Sequence, residues 1–228
     1  MTCGVQGRLL DDLTLGSAFS YEHTRLHYDL HATGRSHNFL GGLYALYRPA
    51  CYYLLGEFAF GYSDEKIKRH VNVGPDLSYT THSKPKVIES SLYIETGKDY
   101  NIFCTCFQPF VGLEFAYHYL HHFREHGGYP INLSVCAHTQ DNIDGLLGLH
   151  ITPETCWNIL MSMDIAWQYR FTKFKNKIRE RFIAFGDSFP IYGSYWARNS
   201  IDAAFYLSVP FYECWDLLQK QMESGGNA

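Results

Sequence analysis

The sequence predicts an all-β protein, an antiparallel transmembrane β-barrel, and three observations support this. Residues Asn158 to Phe171 (NILMSMDIAWQYRF) alternate apolar and non-apolar side chains over 14 positions, a strand period that leaves no apolar stripe on a helix. Soluble strands average about 5 to 6 residues, whereas a tilted membrane strand needs about 9 to 11. The chain has no apolar run of about 18 residues, so a closed sheet is the remaining way to cross lipid.

The same alternation recurs along the chain, with one apolar face and one face of small, polar and charged groups. It is clearest near Leu13 to Tyr21, Tyr52 to Ser63, Phe107 to Tyr119 and Ile201 to Phe211. Strands are predicted at 13–23, 37–48, 50–63, 86–98, 103–119, 142–152, 158–171, 186–196 and 200–212, with an extended segment at 130–138.

If the segment 130–138 belongs to the long connection 120–141, the connections between these strands alternate in length. Short ones fall at 48–50, 98–102, 153–157 and 197–199, and long polar ones at 24–36, 64–85, 120–141 and 172–185. Short periplasmic turns and long external loops are typical of outer-membrane barrels.

Composition and charge narrow the class of protein. The chain has 228 residues, 46% hydrophobic and 17% aromatic, and shows no linker, so one domain over 1–228 is predicted. The aromatic content suits the girdles of a membrane barrel and would equally suit a soluble core. A net charge of -4 argues against a nucleic-acid partner. Met1 is followed by no signal-peptide pattern, so we expect a signal to have been removed or the segment to belong to a larger chain.

Charged residues on the non-lipid faces are the candidate site. Glu57, Glu114, Asp164 and Arg170 are predicted to face the lumen, together with Glu95 and Asp202. They could pair as a structural network, or a carboxylate pair could hydrolyse a substrate. Because no Ser-His-Asp order or Gly-x-Ser-x-Gly element is present, the structural network is favoured and no catalytic residue or cofactor is predicted.

Two further residue groups have alternative interpretations. His118, His121, His122 and His126, beside Glu125, have the residue types of a zinc site. They lack the His-Glu-x-x-His spacing, so a histidine-rich loop is favoured and no metal is predicted. Cysteines number seven, and disulfides in an oxidising periplasm or half-buried small side chains are both open interpretations.

Six motifs in order resemble the translocator β-domain of the autotransporters over about Val5 to Tyr212. They are GGLYALYR, YYLLGEFAFGYSDEKIKRHV, QPFVGLEFAYHYLHHFREHGG, IDGLLGLHI, MDIAWQYRF and DSFPIYGSYWARNSIDAAFYLSV. Each motif alone is weak, whereas six in order are specific. The cysteine usage is also similar to that of the cysteine-rich polymorphic outer-membrane proteins.

The resemblance implies a function and a location. Members of that family are outer-membrane barrels that anchor and export an N-terminal passenger, so the implied partners are outer-membrane lipid, the chain's own passenger and the barrel-assembly machinery. The alternatives are an outer-membrane barrel enzyme or porin, and a soluble antiparallel barrel that binds an apolar ligand.

This sequence departs from the family pattern at both ends. Family barrels have twelve strands and close on a strand ending in an aromatic residue, whereas ECWDLLQKQMESGGNA follows Tyr212 here. The first strand and pore helix of the family are not evident before Val5. We therefore expect a barrel that lacks one or more terminal strands.

Overall fold

Antiparallel strands make up nearly all of the computed structural model, which describes residues 1–28, 32–74, 77–153, 160–172, 177–193 and 197–208. The strands are β1 (Thr2–Leu10), β2 (Leu13–Tyr28), β3 (Ala32–Tyr47), β4 (Tyr52–Gly74), β5 (Leu77–Ser83), β6 (Lys86–Lys98), β7 (Tyr100–Ile102), β8 (Thr105–Leu120), β9 (Phe123–Arg124), β10 (Leu133–Val135), β11 (His138–Pro153), β12 (Leu160–Arg170), β13 (Lys177–Phe182), β14 (Phe189–Tyr192) and β15 (Asn199–Ser208). Within these ranges no helix is long and apolar enough to span a membrane.

The strands form a large main sheet and a small second sheet. The main sheet runs in the order β1-β2-β3-β4-β6-β8-β11-β12-β15, with β5 paired to β4 and β7 to β8, and it is curled like half of a barrel. The small sheet has the order β14-β13-β10-β9. Neighbours in the main sheet are successive long strands joined as antiparallel hairpins, so the all-β antiparallel prediction is confirmed.

Two segments that were predicted as loops are largely strands, so those predictions were wrong. The segments 24–36 and 64–85 were predicted as loops, but β2, β3 and β4 continue through much of them, and β5 folds back on β4. Backbone hydrogen bonds can continue a hairpin past the end of its apolar face, because they do not depend on the polarity of the side chains. The apolar alternation therefore stops before the strands do.

The described part of the predicted strand at 186–196, residues 186–193, does not belong to the main sheet. Within that part Phe189–Tyr192 is extended, and it pairs with β13 of the small sheet, while β12 pairs directly with β15. Four residues are too few to cross a bilayer, which takes about 9 to 11. A strand that the prediction omitted, Thr2–Leu10, pairs with β2.

Several sequence expectations concern residues outside the described ranges. Two of the seven cysteines, Cys156 and Cys214, lie there, as do Tyr195 and Trp196 of the predicted strand 186–196 and the closing segment after Ser208. The predicted absence of terminal strands therefore stays a prediction.

The two faces of the main sheet differ in chemistry. On the apolar face, Leu54, Phe58 and Phe60 of β4 are each 48% exposed, and Leu113 of β8 is 56% exposed. Their neighbours in sequence on the same strand, Tyr53 beside Leu54 and Glu57 beside Phe58, lie on the polar face. Among the described residues the buried hydrophobic side chains are Ala32, Tyr53, Phe110 and Val135, so most of the large apolar side chains are not packed in a protein core.

The length of the apolar face along the strands matches the thickness of the apolar band on outer-membrane barrels. On β4 it extends from Tyr52 to Tyr62, a separation of ten positions that covers about 34 Å along the strand. At a strand tilt of about 40°, this is about 26 Å along the membrane normal, against about 25 Å for outer-membrane barrels. Both ends carry a tyrosine, as interfacial girdles do.

Candidate functional site

A hydrogen-bonded cluster joins β11, β12 and β15 on the polar face. Arg170 and Asp144 lie directly opposite each other, and the guanidinium donates from Nε to Oδ1 at 2.9 Å and from Nη2 to Oδ2 at 2.8 Å. Gln168 donates to Oδ2 of Asp144 at 2.8 Å, and Ser200 donates to Gln168 at 3.2 Å. Asp144 is 5% exposed and Arg170 is half-buried, so the carboxylate charge is buried against a cation that donates two hydrogen bonds to it.

A second cluster is centred on Glu95 of β6, which is 4% exposed. Tyr53 of β4 donates to its Oε1 at 2.6 Å, and the Tyr93 hydroxyl donates to its Oε2. Nε2 of His150 lies 3.3 Å from Oε1, and Nδ1 of the same ring lies 2.8 Å from Oδ1 of Asp164. Side chains from β4, β6, β11 and β12 are thereby linked across the face of β8.

Glycines make room for the aromatic rings that lie across this face. The Phe110 ring of β8 stacks on His150 at 4.3 Å between centroids and covers Gly148, where a Cβ would overlap the ring. A Cβ at Gly97 would lie 2.6 Å from the Tyr53 ring. Small residues at these positions therefore let the rings lie flat against neighbouring strands.

The four predicted site residues all lie on the polar face, in different surroundings. Arg170 binds Asp144, and Asp164 binds His150. Glu114 lies opposite Asp144 across β8 and β11, and Glu57 is exposed opposite Tyr93. Asp144, His150 and Tyr53 were missed, although the alternation of their strands places them on this same face.

The described residues hold no group of three His, Cys, Asp or Glu side chains placed to bind a metal ion. The histidines considered for zinc point to separate partners. Nδ1 of His118 lies 3.4 Å from Glu89, and Nε2 of His122 lies 3.2 Å from the Ser134 hydroxyl. The backbone of His126 pairs with that of His82. Of the cysteines, Cys3, Cys51, Cys104 and Cys136 carry exposed free thiols.

Comparison with known proteins identifies the family. A family model described as Autotransporter beta-domain matches residues 1–217. The chain belongs to the autotransporter β-domain family. It is an outer-membrane β-barrel of the translocator type that exports a passenger, and the resemblance found in the motifs is confirmed.

The fold is similar to a solved member of this family. The translocator domain of the autotransporter NalP from Neisseria meningitidis superposes with a TM-score of 0.63 at 14% sequence identity, over 91% of this chain and 72% of that chain. A search of the curated proteins found no significant match.

Proposed function

We propose that the polar face of the main sheet lines the passage for the passenger segment and that the apolar face contacts outer-membrane lipid. The segregation of the two faces along the same strands supports this most directly, since Leu113 and Glu114 are neighbours in sequence and lie on opposite faces. In this proposal Glu57, Glu114, Asp164 and Arg170 line the lumen as a structural network. An extended passenger segment presents unpaired backbone groups, and a hydrated wall of polar side chains allows it to slide.

The proposed partners follow from the family and from these faces. They are the chain's own passenger, outer-membrane lipid, and the barrel-assembly machinery that inserts such barrels. One domain spanning the whole chain is part of the same proposal.

We further propose that the barrel is not itself an enzyme. His150 lies between Glu95 and Asp164, the one arrangement among the described polar clusters that resembles a catalytic one. Both of its ring nitrogens are already occupied by carboxylates, so neither is available to activate a nucleophile. The expected result is that purified protein shows no protease or esterase turnover above that of Asp164→Asn. Turnover that disappears in this variant would favour the barrel enzyme, the principal alternative.

Site-specific photo-crosslinking in cells tests the passage. A photoreactive amino acid is placed at Glu57 or Glu114, and at the matched neighbours Phe58 or Phe115, in the full-length protein with a passenger stalled during export. We expect crosslinks to the passenger from positions 57 and 114 and none from 58 and 115. Equal crosslinking from both faces would refute the proposed passage.

A further inference from the structure

Three cations lie side by side on neighbouring strands beyond the apolar band. Arg25 of β2 is directly opposite Arg35 of β3, which is directly opposite Lys66 of β4. All three are exposed and lie on the same face as Phe58 and Phe60. Opposed side chains have Cβ atoms about 4.5 to 5.5 Å apart, and like charges in that position destabilise a sheet.

The surroundings do not neutralise this row. Among the described residues, no carboxylate forms an ion pair with Arg25, Arg35 or Lys66. Glu65, the sequence neighbour of Lys66, points to the opposite face. Asp64 is on the same face, where it lies opposite His37 and Lys86.

Two more cations adjoin the row, Lys68 two residues farther along β4 and Lys86 on β6, and we call the set Arg25, Arg35, Lys66, Lys68 and Lys86 the cationic band. Arg25, Arg35, Lys66 and Lys68 line a cleft of about 410 Å³. An adjoining cleft of about 600 Å³ is lined by Lys66, Lys68 and Lys86, together with Lys84 and Arg124. A concave surface of this charge suits an anion that can accept hydrogen bonds from several cations at once.

The row Arg25, Arg35 and Lys66 starts just outside the lipid head groups, within reach of its long side chains. The last aromatic row of the apolar face is Tyr21, Phe39 and Tyr62, which lie opposite one another. The row Arg25, Arg35 and Lys66 lies four residues farther along, about 13 Å along the strands and about 10 Å along the membrane normal. Head groups occupy about 5 to 8 Å on each side of the hydrocarbon, and long cationic side chains reach back toward that layer.

The side of the membrane follows from the connections. Four members of the band, Arg25, Arg35, Lys66 and Lys68, lie on the long hairpins β2–β3 and β4–β5, while the opposite end of these strands has short turns near Asp11 and Pro49. Long connections face outward in outer-membrane barrels. We propose that the cationic band binds the phosphate groups of an anionic glycolipid in the outer leaflet, and that these phosphates neutralise the row Arg25, Arg35 and Lys66.

Lipid binding by the full-length protein in a neutral detergent tests this, with bisphosphorylated lipid A as the probe and native mass spectrometry as the readout. In the variant Arg25→Gln/Arg35→Gln/Lys66→Gln we expect roughly a hundredfold weaker binding, since each cation at an anionic membrane surface contributes roughly fivefold. The matched control is Lys177→Gln/Arg179→Gln/Arg181→Gln, which removes the same charge from exposed positions on β13 of the small sheet. This control should bind as the unaltered protein does.

Two further measurements use the unaltered protein, so they do not depend on whether the variant folds. They distinguish binding of the lipid phosphates from binding of free phosphate. The unaltered protein should bind dephosphorylated lipid A at least tenfold more weakly than the bisphosphorylated form. Inorganic phosphate at the same concentration should not displace the lipid. Equal losses in the two triple variants, equal binding with and without the phosphates, or displacement by inorganic phosphate would each overturn the proposal.

Discussion

The two faces of the main sheet satisfy different physical requirements on the same strands. On β12, Ile165 is 40% exposed on the apolar face, while its neighbour Asp164 is hydrogen-bonded to His150 on the polar face. The apolar face requires only hydrophobic side chains of suitable length, because lipid adapts to their shape. The polar face requires specific partners in a specific register, because a buried charge needs a complementary group. Substitutions on the polar face should therefore depend on partner identity, and those on the apolar face on polarity alone.

The largest expected effect is the removal of one member of the Asp144–Arg170 pair. Asp144→Ala removes the carboxylate that accepts two hydrogen bonds from Arg170. We expect a loss of about 3 to 5 kcal/mol in the free energy of unfolding, because the arginine charge loses this partner. Urea unfolding in phosphatidylcholine vesicles measures it. The control is Asp202→Ala, an exposed carboxylate of the polar face, which should change stability little.

The pair can also be removed as a unit. Asp144→Asn/Arg170→Gln should recover much of the stability lost in Asp144→Ala, because no unbalanced charge remains. A double variant as unstable as Asp144→Ala would show that the pair does not determine the stability of this region.

Charge on the apolar face should have the next largest effect. Leu113→Arg and Ile165→Arg place an arginine in hydrocarbon near the middle of the apolar face, and each should cost about 2 to 4 kcal/mol. Gln168→Arg, on the polar face of the same strand as Ile165, should cost clearly less, because the new arginine stays beside Asp144 in a hydrated setting and only the hydrogen bonds of Gln168 to Asp144 and Ser200 are lost. The measurement is the folding equilibrium in vesicles, and similar costs for Ile165→Arg and Gln168→Arg would contradict the assignment of the faces.

The smallest expected effect concerns the space beneath the aromatic rings. Gly148→Ala places a methyl group against the Phe110 ring and the backbone carbonyl of Ile165, and it should cost about 1 to 3 kcal/mol by overpacking. Gly41→Ala on β3, where a Cβ meets nothing within 4 Å, is the matched control and should cost less. Equal costs in the same unfolding assay would mean that the Phe110 ring and the backbone at Ile165 can both move aside.

Some of these features could be predicted from residue order alone. The alternation of side chains is a local property of an extended backbone, so it identified the apolar faces around Leu113 and Ile165 and placed Glu57, Glu114, Asp164 and Arg170 together on the other side. Six ordered motifs likewise identified the family. The extent of the strands was underestimated at 24–36 and 64–85, because polar residues outside lipid carry no apolar pattern.

Pairing between strands was decided only by the tertiary structure. The alternation of 186–196 resembled a membrane strand, yet Phe189–Tyr192 joins the small sheet and β15 takes its place beside β12. The contact of Glu95 with His150 joins residues 55 positions apart, and the row Arg25, Arg35 and Lys66 exists only through the register of three strands. Side-chain direction depends on a residue's own backbone, whereas a partner depends on which strand lies alongside and at what offset. That offset is set jointly by the whole sheet.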